Sequence, residues 1–300
     1  MANKIHLDTC PVCGTGHFRP FLTCTDHTVS NEQFTLHKCE VCEFIATQDF
    51  PSENEIGKYY ISENYISHSV NKKGLFNRLY HVARHRMLRH KIKLIDLLST
   101  RGKLLDIGCG TGYFLNEAQI DGWDVVGIEK SEQARQFTHD NFHIETLPSE
   151  SLFSDLGKFD IISMWHVLEH IESFNATLTR IKELLNDKGF AIIALPNCNS
   201  TDAKFYKSNW AAYDVPRHLW HFTPNSFKQV ANQNGFAIID TFRMPLDSFY
   251  VSVLSAKYKK SIFPMIEGFL IGFYSYIVSL FSKNKCSSII YILKKEKNEK

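Results

Sequence analysis

From Lys103 onward, short apolar runs alternate with stretches whose apolar residues recur at helical spacing. The runs near 103–108, 124–128, 142–146, 159–164, 189–195, 236–243 and 287–294 predict strands. The stretches near 112–120, 131–139, 173–186 and 224–234 predict helices. This alternation implies an α/β fold with a largely parallel sheet covered on both faces, and such sheets bind ligands at the carboxyl ends of their strands. Upstream, 75–99 predicts an amphipathic helix with Leu75, Leu79, Val82, Met87, Ile92 and Ile95 on its apolar side. Its other side carries Arg78, Arg84, Arg86, Arg89, Lys91 and Lys93, read as a solvated face in preference to an anion site. His81 and His85 sit there at i, i+4 without the carboxylate that a metal motif would need.

One later stretch breaks the pattern. Residues 262–281 hold fourteen large apolar side chains in twenty positions, nearly a bilayer span. Pro264, Glu267 and the strand predicted directly afterwards argue against spanning. Gly268, Gly272, Ser275 and Ser279 recur at spacings of 4, 3 and 4, a narrow stripe against which another helix can pack closely. The opposite face is expected to meet the protein itself, a dimer partner, a lipidic substrate or a membrane surface.

Composition changes the picture mainly through cysteine. At 300 residues the chain has room for about two domains at roughly 150 residues each, and 44% hydrophobic residues suffice for a core. Thirty-four basic against 32 acidic residues leave +2, which removes bulk electrostatics as a reason for nucleic-acid binding. No apolar run precedes the first cysteine, so a cytoplasmic location is expected, where paired thiols more often mean metal or redox chemistry than disulfides. Cys10-Pro-Val-Cys13 and Cys39-Glu-Val-Cys42 are two CxxC units with 25 residues between them. Each turn points two thiolates at one place, and together they match the closed tetrahedral shell of structural Zn²⁺. A redox pair would want a βαβ pattern around it. Cys24, His17, His27 and His37 are alternative ligands, although four thiolates already fill the site.

The first predicted strand of the sheet leads into Asp106-Ile107-Gly108-Cys109-Gly110-Thr111-Gly112. Glycine at every second position allows a sharp turn and close backbone approach to a ligand before the next helix. A dinucleotide fingerprint would have its third glycine at position 113, which is Tyr113, so the NAD reading loses ground. The second strand ends in Glu129-Lys130, with Glu129 lying 17 positions beyond Gly112. In the bland reading these are an ordinary βα turn and ordinary strand-end residues.

This loop and its acidic partner resemble the S-adenosylmethionine site of class I methyltransferases. Phe159 to His170, with its Val-Leu-Glu-His ending, resembles the fourth-strand segment of ubiquinone-biosynthesis-like methyltransferases, and Pro216-Arg217-His218-Leu219 followed by Phe222-Thr223-Pro224 is similar to the same group. The resemblance covers about residues 100–245. It implies an α/β, Rossmann-like seven-stranded class I methyltransferase sheet. A small zinc-ribbon-like module at 1–50 and a helical linker or lid at 51–100 would precede a methyltransferase domain at 101–300, with an apolar helical insertion at about 258–284. Zinc modules ahead of this fold also resemble the arrangement of nucleotide-sugar C-methyltransferases. The implied cofactor contacts are Asp106, Gly108, Cys109, Gly110, Thr111 and Gly112 in the loop, Glu129 with Lys130 at the ribose, Thr146 with Leu147 near the adenine, and Met164 with Trp165 beside the adenosine.

Methyl transfer is an in-line displacement that needs alignment and a base, and histidine is the natural base near neutral pH. His218 is the first candidate, with Arg217 beside it to bind an anionic or phenolic acceptor, and His166 is the second. The expected acceptor is a small molecule, a sugar, quinone or lipid-linked metabolite, methylated at oxygen or carbon. A zinc-ribbon RNA methyltransferase and a non-catalytic cofactor-binding module are the rival readings.

Overall fold

The structure is a computed structural model that describes residues 4–60 and 75–296, with the side chains of 75–83 left out. Expectations placed on 61–74, and on Leu75, Arg78, Leu79, His81 and Val82, therefore lie outside the described residues.

The chain opens with strands β1 (Lys4–Ile5), β2 (Phe18–Thr25), β3 (Gln33–Cys39), β4 (Ile45–Thr47) and β5 (Phe50–Pro51), then helices α1 (Glu53–Ile56) and α2 (Leu75–Leu98). The alternating region follows as β6 (Lys103–Ile107), α3 (Tyr113–Ile120), β7 (Asp124–Ile128), α4 (Glu132–Phe142), β8 (Thr146–Leu147), β9 (Phe159–Trp165), α5 (Phe174–Leu184) and β10 (Leu185–Pro196). The last third contains α6 (Thr201–Tyr206), β11 (Trp220–His221), α7 (Pro224–Gln233), β12 (Phe236–Arg243), α8 (Asp247–Tyr258), α9 (Pro264–Phe281) and β13 (Ser288–Lys295).

Seven strands form one sheet in the order β12-β13-β10-β9-β6-β7-β8. β6 pairs in parallel with β7 and β9, while β13 runs antiparallel between β10 and β12. The order reverses between β6 and β9, so the crevice outside their carboxyl ends is the switch point where this architecture takes ligands. This is the Rossmann-like class I methyltransferase sheet. The predicted third strand at 142–146 is corrected to Thr146–Leu147. Helix α4 continues through Phe142, whose ring meets Tyr113 at 5.1 Å, and ends where His143 turns left-handed at φ 57°.

The N-terminal strands build a second sheet, β2-β3-β4-β11, whose last strand comes from residues far down the chain. Trp220 pairs with Ala46 and His221 with Ile45. Cys10, Val12, Cys39 and Phe44 share one buried core with Phe174, Trp220 and Phe222, and with the large sheet through Leu105, Ile162 and Met164. Trp210 and Trp220 are structural aromatics here. Each is buried with its indole N–H donating, to Asp202 at 2.8 Å and to the Ile171 carbonyl at 2.7 Å respectively.

The stripe of small residues on α9 packs as its spacing predicts. Gly268, Gly272, Ser275 and Ser279 are the buried residues of that helix. A Cβ at Gly268 would meet the Val253 Cα at 2.4 Å, and Ser248 Oγ on α8 donates to the Gly272 carbonyl at 3.1 Å. Buried Asp202 accepts from Ser275 Oγ at 3.0 Å and Ser287 Oγ at 2.6 Å, fastening α9 and the start of β13 to α6.

Candidate active site

The glycine loop lies between β6 and α3. Gly108, Gly110 and Gly112 have φ of 72°, 55° and 73°, the left-handed region that side chains other than glycine's occupy at a cost. A Cβ at Gly108 would strike Val167 at 2.5 Å and one at Gly112 would strike Thr138 at 2.4 Å, whereas a Cβ at Gly110 would point into open space. The turn is thus closed against the protein at its ends and open at its centre. Cys109 is buried beneath it, held by its N–H to the Ile128 carbonyl at 3.1 Å, and Thr111 is half-buried in the same turn.

Glu129 reaches into this turn. One carboxylate oxygen accepts from the Gly110 N–H at 2.9 Å and the other from the Ser131 N–H at 2.8 Å. A carboxylate has about four acceptor positions, so two remain for a ligand diol. Its backbone N–H donates to the Leu147 carbonyl at 2.9 Å, which sets β8 beside the loop. Lys130 points elsewhere and pairs with Glu53 at 3.0 Å on the surface. Met164 is sealed in the core, so its side chain does not reach the crevice, and the sequence expectation for it is corrected. The buried Thr146 Oγ1 and Trp165 Nε1 have no partner among the described residues, so both can bond to a bound group. An open cradle at Gly110, an acidic acceptor already turned to it and two orphaned polar atoms fit an adenosyl cofactor.

Asp106 is buried and accepts a 2.6 Å bond from Ser163 Oγ. Burial pushes its pKa up to about 7. Lys91, which the sequence placed on a solvated face, folds inward with its Nζ 4.0 Å from the Trp165 ring centroid, and burial pushes its pKa down to about 8. Arg84 on the same helix likewise lies over the Tyr113 ring at 4.0 Å. The basic face is therefore partly turned inward. A pattern of 3.6-residue spacing assigns every cation outward, so sequence reasoning missed Lys91.

Beyond β9 the chain brings four histidines to one place. Glu169 is fully buried, and neither carboxylate oxygen has a hydrogen bond among the described residues, yet His166 Nδ1 stands 3.4 Å away and Glu169, His170 and His218 lie within 4.8 Å of one another. The His170 and His218 rings meet edge-on at 4.5 Å. His221 lies deeper, with Nε2 3.0 Å from Thr47 Oγ1. Burial would favour a neutral His166, but Asp247 at 3.2 Å and Glu169 outweigh it and hold its pKa raised to about 10. His166 is thus an imidazolium with no lone pair for an incoming proton, which corrects its assignment as the alternative base. Burial lowers His170 to about 4, so that ring is neutral.

Arg217 is also corrected. Its guanidinium is 2% exposed and is consumed by Asp214 at 2.9 and 2.6 Å, Asp26 at 3.0 Å and the Tyr59 carbonyl at 2.8 Å. With every nitrogen engaged it has nothing to offer an acceptor, and it acts as a strut between the 214–218 loop and the N-terminal sheet. His218 is different. Its Nδ1 faces the Ala212 carbonyl at 2.9 Å, and since a carbonyl only accepts, Nδ1 carries a proton and donates it, while Nε2 stands 4.0 Å from Asp214 Oδ2. Thr47 Oγ1 donates to the His218 carbonyl at 2.8 Å, and the Thr47 N–H to that of Leu219 at 2.9 Å, so β4 holds this segment in place.

At the other end of the N-terminal sheet, Cys10 and Cys42 have sulfurs 3.5 Å apart, as do Cys13 and Cys39, and all four lie within 4.8 Å of one another. Ligands about 2.3 Å from a tetrahedral Zn²⁺ stand close to these separations. Two of the alternative ligands are elsewhere: His27 stacks on Tyr258 at 4.4 Å, and Cys24 belongs to another core cluster.

A family model described as a methyltransferase domain matches residues 80–241. Among curated relatives, a ubiquinone biosynthesis O-methyltransferase of Rickettsia bellii is 28% identical over 161 residues, 49% of this chain and 63% of that protein. One from Bartonella tribocorum is 25% identical over 151 residues, 46% of this chain and 61% of that protein. The chain thus spans less than two thirds of the curated relatives it matches. A solved structure, magnesium protoporphyrin IX methyltransferase from Synechocystis with bound S-adenosylhomocysteine, superposes with a TM-score of 0.53 at 14% identity, covering 79% of this chain and 97% of the other. The family model spans the glycine loop, the Glu129 contact and the histidine cluster together, and the chain belongs to the methyltransferase domain family.

Proposed function

We propose that this protein transfers a methyl group from S-adenosylmethionine to a small-molecule acceptor. The observation that carries the reading is the glycine turn, closed by Val167 and Thr138 at its ends, open at Gly110 and faced by Glu129. When bound, the cofactor supplies a methyl on a cationic sulfonium, the electrophile of an in-line displacement. Gly108 to Gly112 would admit its methionine portion and Glu129 its ribose hydroxyls, with Asp106 and Lys91 setting the charge beneath.

The acceptor side falls to His218. Its Nε2 lone pair can take the proton that leaves an acceptor hydroxyl or carbon acid as the new bond forms. The buried carboxylate of Glu169 then stabilises the imidazolium across the shared cluster. His166, 3.4 Å from that carboxylate, sets a positive charge beside it. The relatives' names as O-methyltransferases favour oxygen as the nucleophile, and a sugar, quinone or lipid-linked hydroxyl meets the chemistry. We assign the four-cysteine cluster to a structural Zn²⁺, whose four-sulfur shell these separations fit.

Calorimetry with S-adenosylhomocysteine and labelled-methyl transfer to a cell extract test the reading. His218→Ala should lower turnover by about 10²–10⁴-fold while leaving cofactor affinity unchanged. Turnover within about threefold of wild type would remove His218 as the base.

A further inference from the structure

Helix α9 turns its small residues inward and its large ones to solvent. Ile266 and Leu270 are 60% and 59% exposed, and Phe263 and Phe281 at the two ends are 66% and 87% exposed. Phe269 and Phe273 stack along the same helix at 6.4 Å, both more than four-tenths exposed. An apolar face of this size that no described residue covers marks a contact with something other than water.

The helix is long and apolar enough to cross a membrane by length and composition. It is nevertheless tied at both ends to one folded body. Helix α8 ends at Tyr258, five residues before it begins, and β13 starts at Ser288, inside the large sheet, six residues after it ends. Eighteen residues make a helix about 27 Å long, so its ends cannot stand on opposite sides of a bilayer while both neighbours pack into the same core. It can only lie along a surface.

The charges around it select which surface. Lys257, Lys259 and Lys260 flank its start, and Lys283 and Lys285 follow its end; Lys283 is already paired with Asp240 at 3.4 Å, and Lys257, Lys260 and Lys285 have no ion pair among the described residues. Lys204 stands close enough to Lys285 to lower that ammonium's pKa. Glu267 is the one acidic residue on the helix, and it is already engaged by Lys259 at 3.1 Å and Ser261 at 2.7 Å. A second copy of the chain would pair poorly here. Antiparallel packing of two α9 helices sets the Lys257–Lys260 end against the Lys283–Lys285 end, and parallel packing sets each cluster against itself. An anionic lipid surface supplies the opposite charge at both ends and an apolar layer between them.

We propose that α9 seats the protein on an anionic lipid surface, its axis in the interfacial plane, its large apolar side chains among the acyl chains and its flanking lysines at the headgroups. This contact does not depend on the methyl-transfer reading. Flotation of the full-length chain with phosphatidylglycerol-containing vesicles and with phosphatidylcholine vesicles tests it. The chain should float with the anionic vesicles. Ile266→Asp with Leu270→Asp should weaken binding at least tenfold without lowering the thermal midpoint, since both residues face solvent, and Lys257→Glu with Lys260→Glu should remove most of the preference for phosphatidylglycerol. Absence of flotation, or equal binding by the Ile266→Asp/Leu270→Asp variant, would overturn the proposal. A dimer by light scattering that this variant dissociates, with no lipid binding, would overturn it in favour of a second copy.

Discussion

The Glu169 carboxylate shows how much of this site is decided by single residues far apart in the chain. Val-Leu-Glu-His is visible as a motif, but the group that holds His166 charged, Asp247, lies 81 positions away. Its effect has a pH signature. The folded pKa of His166 is raised to about 10 from the ordinary 6.5, so its contribution to stability is fully present below pH 6.5 and is lost as pH rises through 10. In urea denaturation the stability difference between wild type and His166→Gln should therefore shrink from pH 7 to about 10.5. A difference that stays constant over that window would show that the ring is neutral in the folded protein. Arg217 teaches the same lesson from the other direction. In sequence it adjoins His218 and looks like an acceptor ligand, whereas Asp26, Asp214 and the Tyr59 carbonyl have used its donors.

Among the elements, six of the seven strands of the large sheet were legible because each is an apolar run bounded by turn residues. The short β8 was misplaced because α4 continues into its predicted start. Helix α8 escaped because its partner is the small stripe of α9, a packing relation with no periodic signal of its own. The cysteine knuckles were legible from spacing, but their reach was not. Strand β4, which follows Cys42 closely, hydrogen-bonds the backbone of His218 and Leu219. Removing the metal with a chelator should accordingly lower the thermal midpoint by about 5 °C or more and slow methyl transfer, with S-adenosylhomocysteine affinity kept within about threefold. Full turnover after complete metal removal would separate the cysteine cluster from the histidine segment.

For the whole molecule, the four-cysteine module at 1–50 and the large sheet share one interior. Cys39, Phe44, Trp220 and Leu105 belong to one buried cluster, and the small sheet is completed by a strand from residues 220–221. Probes of the small and the large sheet, such as Trp220 fluorescence and far-ultraviolet circular dichroism, should therefore report coincident unfolding transitions in denaturant, and two separated transitions would contradict the shared core. By itself the sequence determined the sheet, the glycine turn with Glu129 and the four-cysteine spacing, because each is written in local periodicity or in backbone demands that only certain residues meet. Only the tertiary structure decided which histidine is held charged between two carboxylates, which cations turn inward and which face of α9 meets the outside. Those outcomes depend on burial and on carboxylates brought from distant parts of the chain, which no local pattern encodes.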